Sequence, residues 1–556
     1  MPKTTAGFTG LLIGATLYVT WYFYYVAHYA VDIPYLDDYD SILDYLLAFR
    51  EDTLWEKFRS ILLPHNEHII SMTRMVSWIN YGLTGHLNIF ALLLWGNALL
   101  LVPLAVLYAT FTPTERYPAL YFLLVIFVFL NPQYSVTALW AMALWSNIWV
   151  FVPVTCSILL ITRPQHWYWA LPFAVVATFA NGNGLMIWPI GLLMLFFERR
   201  PFLQWAIWTG AGVLTCGCYF HLMRQQPSEG LFLFSNLPFL PFNVLAFLGS
   251  YGALLGGKAG QIIAVVVGTG VAAMTLITAK NYLKTRHRTD LILLALVAFV
   301  ALTALAVGLF RAEKGMSIII GGRYRQYSSL AVAASLLMAF RHLPFHLPRW
   351  GRVSIWGLLG MVTVLSFYRD IGLRKTTEWR TIVDYHNRLH NRLDLLATTP
   401  NPRYGADVVE AKQTGLYAVT PQYDLLTQLN NATRTDLASQ AVAERFEEKK
   451  LDGVTCGNYW LIEEPQLQFP SRNDEAIYLV LSKDNQHIIF PTASKRNGLS
   501  AMLKQRSYFR KGLEAEVYDC VQSFDAYEIN WLKVGQKPVL YTTHTTISQF
   551  RIRFKQ

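Results

Sequence analysis

Cysteine and charge are the two things this 556-residue chain has little of. Five cysteines exclude a disulfide-built scaffold. Cys156, Cys216 and Cys218 fall in apolar runs as small packing residues, while Cys456 and Cys520 lie in a polar region where an oxidising compartment would pair them. Only 15% of residues are charged, against about 25% in ordinary soluble chains, so a large water-soluble enzyme is excluded. No internal repeat and no low-complexity segment is visible, which argues against a solenoid or a disordered chain. No small-residue cleavage site follows the first apolar run, so that run is expected to stay as a helix.

What is there instead is apolar length. Hydrophobic residues make up 53% of the chain, with 17 Trp and 30 Tyr suited to interfacial belts or to a bundle core. Residues 8–30 carry no Lys, Arg, Asp or Glu and exceed the roughly 20 residues that cross a bilayer. Eleven such runs are expected, at 8–30, 87–111, 118–132, 138–161, 167–180, 184–197, 203–222, 260–279, 291–310, 326–341 and 353–370. The runs 167–180 and 184–197 are short for a full crossing, and 237–256 reads as a re-entrant or interfacial segment. The formal charge of +11 sits largely in short loops, where it sets orientation and does not point to a nucleic-acid partner. Placing Arg116, Arg163, Arg199, Arg200, Lys284, Arg286, Arg288 and Arg341 in the cytoplasm puts loop 31–86 and everything after 370 outside. The expected fold is therefore a polytopic α-helical membrane protein of about eleven transmembrane helices, with a soluble C-terminal α+β domain. Its membrane domain spans 1–370, with an outer loop at 31–86, and its soluble domain spans 371–556, with strands near 476–482 and 539–547.

Chemistry gathers on the outer side of this scheme. Asp37, Asp38 and Asp40 follow the first span directly. They form either a catalytic acid cluster, a cation site or a hydrated cap for a helix starting near Ser41. Ile42, Leu46, Leu47, Leu54 and Phe58 then suggest one amphipathic helix along the membrane surface. His65, Asn66, Glu67 and His68 lack the i, i+4 histidine spacing of zinc peptidases, although Asp38 and Asp40 with a histidine can hold a hard cation such as Mg or Mn. No cofactor is otherwise indicated. Asn181 and Asn183 alternate with glycines in a tight turn, near Trp140, Trp145, Asn147 and Trp188, which offer faces for a sugar or a lipid chain. Arg323, Tyr324 and Arg325 stand where the positive-inside rule disfavours them. Paired guanidinium groups there suit a phosphate, with Lys258, Arg311 and Lys314 available to enlarge the basic pocket. An acid to take a proton and arginines to stabilise a departing phosphate are what transfer from a lipid-phosphate donor requires.

In these features the chain resembles the GT-C superfamily of integral-membrane glycosyltransferases. The resemblance rests on Asp37-Asp38-Tyr39-Asp40, Pro64-His65-Asn66-Glu67-His68, Asn181-Gly182-Asn183-Gly184 and Arg323-Tyr324-Arg325. It implies a polyprenyl-phosphate-linked sugar donor, a lipid, glycan or protein acceptor, and a general base among Asp37, Asp38 and Asp40, with Asp38 first. It also implies a bacterial inner membrane with a periplasmic C-terminal domain that helps to place the acceptor. The competing expectations are a lipid-linked glycan polymerase or ligase, and a transporter or lipid flippase. The first would place its largest outer loop between spans, the second would show inverted repeats and intramembrane charge pairs.

Overall fold

A computed structural model describes residues 2–554 apart from 67, 113–118, 225–233, 312–314, 344–348, 391–401, 452–453, 471–474, 485, 506, 520–525 and 548–552. These residues form two compact units. The first comprises Met1–Ala30, Ala48–Asn80 and Phe90–Asp370, the second Val31–Leu47, Tyr81–Ile89 and Ile371–Gln556. The pairing expected of Cys456 and Cys520 lies outside the described residues, as do Glu67, Arg116 and Lys314.

Among the described residues of the first unit, seven helices are long and apolar enough to cross a membrane. They are Gly7–Tyr29, Ile89–Thr110, Ala119–Ala138, Ala141–Ile161, Phe202–Met223, Gly257–Thr285 and Arg288–Phe310. Leu17, Leu214 and Leu276 on three of them are 68%, 70% and 71% exposed. Such surfaces are costly in water and at ease in hydrocarbon. Shorter apolar helices occupy Trp167–Ala180, Gly182–Phe197 and Leu237–Leu248. Two of the eleven expected spans have a different character. Run 326–341 lies in the helix Arg325–His342, whose buried side includes Gln326, Ser328, Ser329 and Ser335. Run 353–370 opens the 41-residue helix Arg349–Leu389, which is far too long to be a simple crossing.

Small residues set the closest packing in this unit. A Cβ on Gly268 would stand 1.8 Å from the Leu245 carbonyl oxygen, and one on Gly249 would stand 1.9 Å from that of Ala264. Gly268 therefore admits the backbone of the nine-residue helix Leu240–Leu248, and Gly249 just beyond its end lets the Ala264 carbonyl approach. At 1.5 Å per residue that helix covers less than half of a bilayer core.

The amphipathic helix expected around residues 41–62 is two helical pieces with opposite surroundings. A π-helical turn, Tyr39–Asp44, leads into Tyr45–Phe49, and Ile42 and Leu46 there are fully buried. A separate helix, Leu54–Ile61, starts at Thr53, whose side chain accepts from the Glu56 amide while Glu56 accepts from the Thr53 amide. Leu54, Trp55 and Phe58 on it are exposed. The capping box breaks the run that hydrophobic spacing alone had joined.

The second unit contains two five-stranded sheets. With strands numbered in chain order after a small hairpin (β1 Pro64–His65, β2 His68–Ile69), they are β3 Thr433–Asp436, β4 Val442–Leu451, β5 Val454–Gln468, β6 Ala476–Lys483, β7 Gln486–Phe490, β8 Thr492–Ala493, β9 Lys511–Asp519, β10 Glu528–Val534, β11 Val539–Thr546 and β12 Arg553–Phe554. One sheet has the order β3-β11-β10-β6-β7, the other β12-β4-β5-β9-β8. Six consecutive residues of β6 are buried, as expected of a strand covered on both faces. Trp379 stacks on Phe469 at 4.4 Å and meets Tyr478 of β6, so the end of the helix Arg349–Leu389 belongs to this core. The early segments are tied in by backbone contacts: the Leu87 amide donates to the Leu416 carbonyl, and the Tyr417 hydroxyl to the Asp32 carbonyl.

Candidate functional site

The acid cluster belongs to the second unit, and its three carboxylates differ. Leu36 turns through the left-handed region (φ 49°) ahead of it, an unusual conformation for a branched side chain. The Asp38 amide then donates to the Tyr35 carbonyl, and the Tyr35 amide returns a bond to Asp38 Oδ2, both at 3.0 Å. Asp38 is 1% exposed, whereas Asp37 and Asp40 are half-buried. Asp38 makes no capping bond to the turn Tyr39–Asp44, so the hydrated-cap account does not describe it.

The charges that answer this cluster come from the helix Arg349–Leu389. The Arg388 guanidinium lies over the Tyr39 ring at 4.5 Å and is 2% exposed. Arg374 and Asp384 are buried as well. Burial raises the pKa of Tyr35; Arg374 and Arg380 oppose that rise, and Asp384 and Asp38 add to it. Burial likewise pushes up the Tyr39 hydroxyl, with Arg388 opposing and Asp384 and Asp38 adding. The residues on either side of Asp38 therefore feel three arginines and one further aspartate. The sequence pairs the acids with Arg323 and Arg325; the charges acting on the acids' own neighbours are Arg374, Arg380, Asp384 and Arg388. A dense run of charge immediately after an apolar run, with Asp384 and Arg388 at i, i+4, is the signal that marks them.

Among the described residues, no group of three or more His, Cys, Asp or Glu side chains is placed to hold a metal ion. Asp38 Oδ2 accepts from the Tyr35 amide, and arginines and aspartates alike act on its neighbours.

In the first unit, the histidine motif is a hairpin with His65 paired to His68 and Asn66 in the left-handed region (φ 49°) at its turn. Buried Arg74 clamps its approach by donating to the carbonyls of Ser60, Leu63 and Pro64. The turn at Asn181–Gly184 needs its glycines for space: a Cβ on Gly184 would meet the Ala177 carbonyl at 1.8 Å, and one on Gly182 would meet His68 Nδ1 and the Tyr219 hydroxyl at 3.1 Å. His68 thus lies against the asparagine turn. Asn181 Nδ2 donates to Asn147 Oδ1 (3.1 Å), Asn183 Nδ2 to the Tyr327 hydroxyl (2.9 Å), and that hydroxyl to the Asn147 carbonyl (3.0 Å). Asn183 Oδ1 has no hydrogen-bond partner among the described residues. Trp140, Trp145 and Trp188 are buried, and the indoles of Trp145 and Trp188 donate to Leu92 and Thr178, so they pack and present no open face.

Tyr327 also closes the motif Gly321–Tyr327, which joins the asparagine turn to the arginines. Arg323 is exposed, its guanidinium 6.0 Å from the Tyr324 ring, and Lys258 is exposed too. Arg325 turns inward and donates to the carbonyls of Ile320 (3.2 Å) and Ala253 (3.4 Å). Burial, then Arg369, lower its pKa to about 10, with Asp370 opposing, so it keeps its charge at neutral pH. Arg369 lies against Gly256, where a Cβ would stand 3.1 Å from Nη2 and where φ is +69°. Asp370 accepts from the Tyr25 and Ser135 hydroxyls. Arg369 was not among the basic residues marked by sequence, because it sits within the span-like run 353–370.

No protein-family model, curated protein or solved structure matches this chain. Its chemistry has to be read from its own side chains. In the first unit these are two inward arginines, a linked set of carboxamides and a tyrosine; in the second, a buried aspartate among arginines.

Proposed function

We propose that the protein is a membrane glycosyltransferase that moves a sugar from a polyprenyl-phosphate donor to a lipid, glycan or protein acceptor on the periplasmic face of a bacterial inner membrane. The observation that supports this reading best is Arg325. It is an inward-facing guanidinium beside Arg369, in the same short motif as the tyrosine that holds Asn183. Two guanidinium groups provide bidentate donors for phosphate oxygens, and the buried Asn183 Oδ1, without a hydrogen-bond partner among the described residues, can accept from a sugar hydroxyl. The polyprenyl chain stays in hydrocarbon, which accounts for the seven apolar helices.

In the proposed step, the acceptor oxygen forms a bond to the anomeric carbon as its proton passes to a carboxylate. The bond from that carbon to the phosphate oxygen breaks, and its electron pair leaves on the phosphate. Arg325 and Arg369 stabilise that charge, a role in which fixed donors are most effective. The base is assigned to the acid cluster on the sequence resemblance alone, with Asp38 first. The sheets of the second unit are assigned to acceptor recognition.

The test is transfer of radiolabelled sugar from a panel of polyprenyl-phosphate donors to membrane extract by the purified wild type, Arg325→Gln and Asp38→Asn. Loss of donor binding in Arg325→Gln, and loss of transfer with donor binding retained in Asp38→Asn, are the expected results. Donor binding by the wild type without turnover on any acceptor would replace the transferase reading by a flippase. Full transfer in Asp38→Asn would move the base to Asp37 or Asp40.

A further inference from the structure

Four helix ends in the first unit bring together arginines that the proposed reaction does not use. Ala141–Ile161 ends before Arg163, Gly182–Phe197 ends before Arg200, Gly257–Thr285 ends at Arg286, and the last helix begins at Arg288. Arg200 Nη2 donates to the Ile161 carbonyl and to Glu198, both at 3.1 Å. Arg288 Nε donates to Thr162 Oγ1 at 2.7 Å, and Arg286 Nη1 lies 3.5 Å from the Phe197 carbonyl. The charges of Arg163, Glu198 and Arg200 all act on Arg288.

The balance is four arginines against one carboxylate. Asp290, two residues along, does not redress it, because Arg341 (2.8 Å) and His342 (2.9 Å) already occupy its Oδ1. Carbonyls at helix C-termini absorb part of the positive charge. They leave five donors per guanidinium mostly unspent. Arg200, whose side chain is only 8% exposed, has an Nε with no hydrogen-bond partner among the described residues. Orientation in the membrane requires only basic residues in a loop; it does not require them to be hydrogen-bonded to neighbouring helix ends, as Arg200, Arg286 and Arg288 are.

We propose that Arg163, Arg200, Arg286 and Arg288 form a binding site for the phosphate of an anionic phospholipid headgroup. A phosphodiester supplies the missing negative charge and accepts several N–H bonds at once. Spans ending at the site provide the acyl-chain surface, and basic pockets between transmembrane helices take such headgroups elsewhere by the same physics.

The test uses the delipidated full chain in a neutral detergent, titrated by native mass spectrometry with phosphatidylglycerol, phosphatidylcholine or inorganic phosphate. The variants are the double substitution Arg163→Gln with Arg288→Gln, and Lys284→Gln, which removes a neighbouring charge from the last turn of Gly257–Thr285. Arg200 is left intact because it closes Ile161. Preferential uptake of phosphatidylglycerol is expected, weakened about tenfold or more in the double variant and less than about twofold in Lys284→Gln. Equal uptake of the two lipids, an unchanged double variant, or an equal loss in Lys284→Gln would overturn the site. Inorganic phosphate binding as tightly as phosphatidylglycerol would overturn the lipid assignment in favour of a free anion.

Discussion

The two units treat clustered charge in opposite ways. In the second, charge near the start of the chain is answered from far along it: Asp38 acts on Tyr35 and Tyr39 together with Arg374, Arg380, Asp384 and Arg388. In the first, basic residues gather with few acids, at Arg325 and Arg369 and again at Arg163, Arg200, Arg286 and Arg288. Balanced buried charge builds structure, and unbalanced charge invites a ligand.

The contrast can be broken most forcefully at Asp38 and Arg388. Asp38→Asn is expected to reduce sugar transfer about 10²–10⁴-fold, the range typical of losing a general base. Arg388→Ala is expected to destabilise the second unit by about 2 kcal/mol or more, because it removes the buried guanidinium that lies over the Tyr39 ring. Denaturant unfolding followed by Trp fluorescence would show it, and a loss within about 0.5 kcal/mol would mean that the arginine is ornamental.

A second comparison sets two neighbouring arginines against each other. Arg325→Gln should weaken polyprenyl-phosphate binding about tenfold or more, as expected for a charge-assisted bond, and exposed Arg323→Gln less than about threefold. Equal effects in a donor titration would dissolve the distinction between inward and outward guanidinium groups.

A last effect is one of pH. His386 is buried in the second unit, and burial, then His390, lower its pKa to about 3, with Asp424 opposing. The unfolded chain takes up a proton near pH 6.5 that the folded one refuses until about pH 3. Stability is therefore intact above about pH 6.5 and falls as pH drops through that window, by at most about 1.4 kcal/mol per unit. Glu378 works against this trend, since burial raises its pKa, Lys375 opposing, and the folded state holds its proton longer as pH rises. His386→Gln should flatten the fall in unfolding midpoint between about pH 6.5 and 4, measured at constant ionic strength. An unaltered profile would assign the acid sensitivity to other groups.

How much of this was legible in the chain depends on range. The run 8–30 is a helix because every residue in it is uncharged, and β6 is a strand because Ala476–Lys483 is apolar and β-favouring. The join between Leu47 and Leu54 was misread because apolar spacing continues through it, while the capping box at Thr53 ends it. Trp140, Trp145 and Trp188 were read as open platforms, and their burial depends on helices whose arrangement no local pattern specifies.

Sequence by itself determined that the chain is rich in membrane-length helices, that a sheet-containing region follows them, and which short motifs carry reactive groups. Each is a property of a few adjacent residues. Only the tertiary structure decided that Asp38 is buried while Asp37 and Asp40 are not, and that Arg325 points inward while Arg323 does not. It also brought Asn183 to Tyr327 across 144 positions. Burial and charge pairing are sums over neighbours distant in sequence, and those neighbours exist only once the chain has packed.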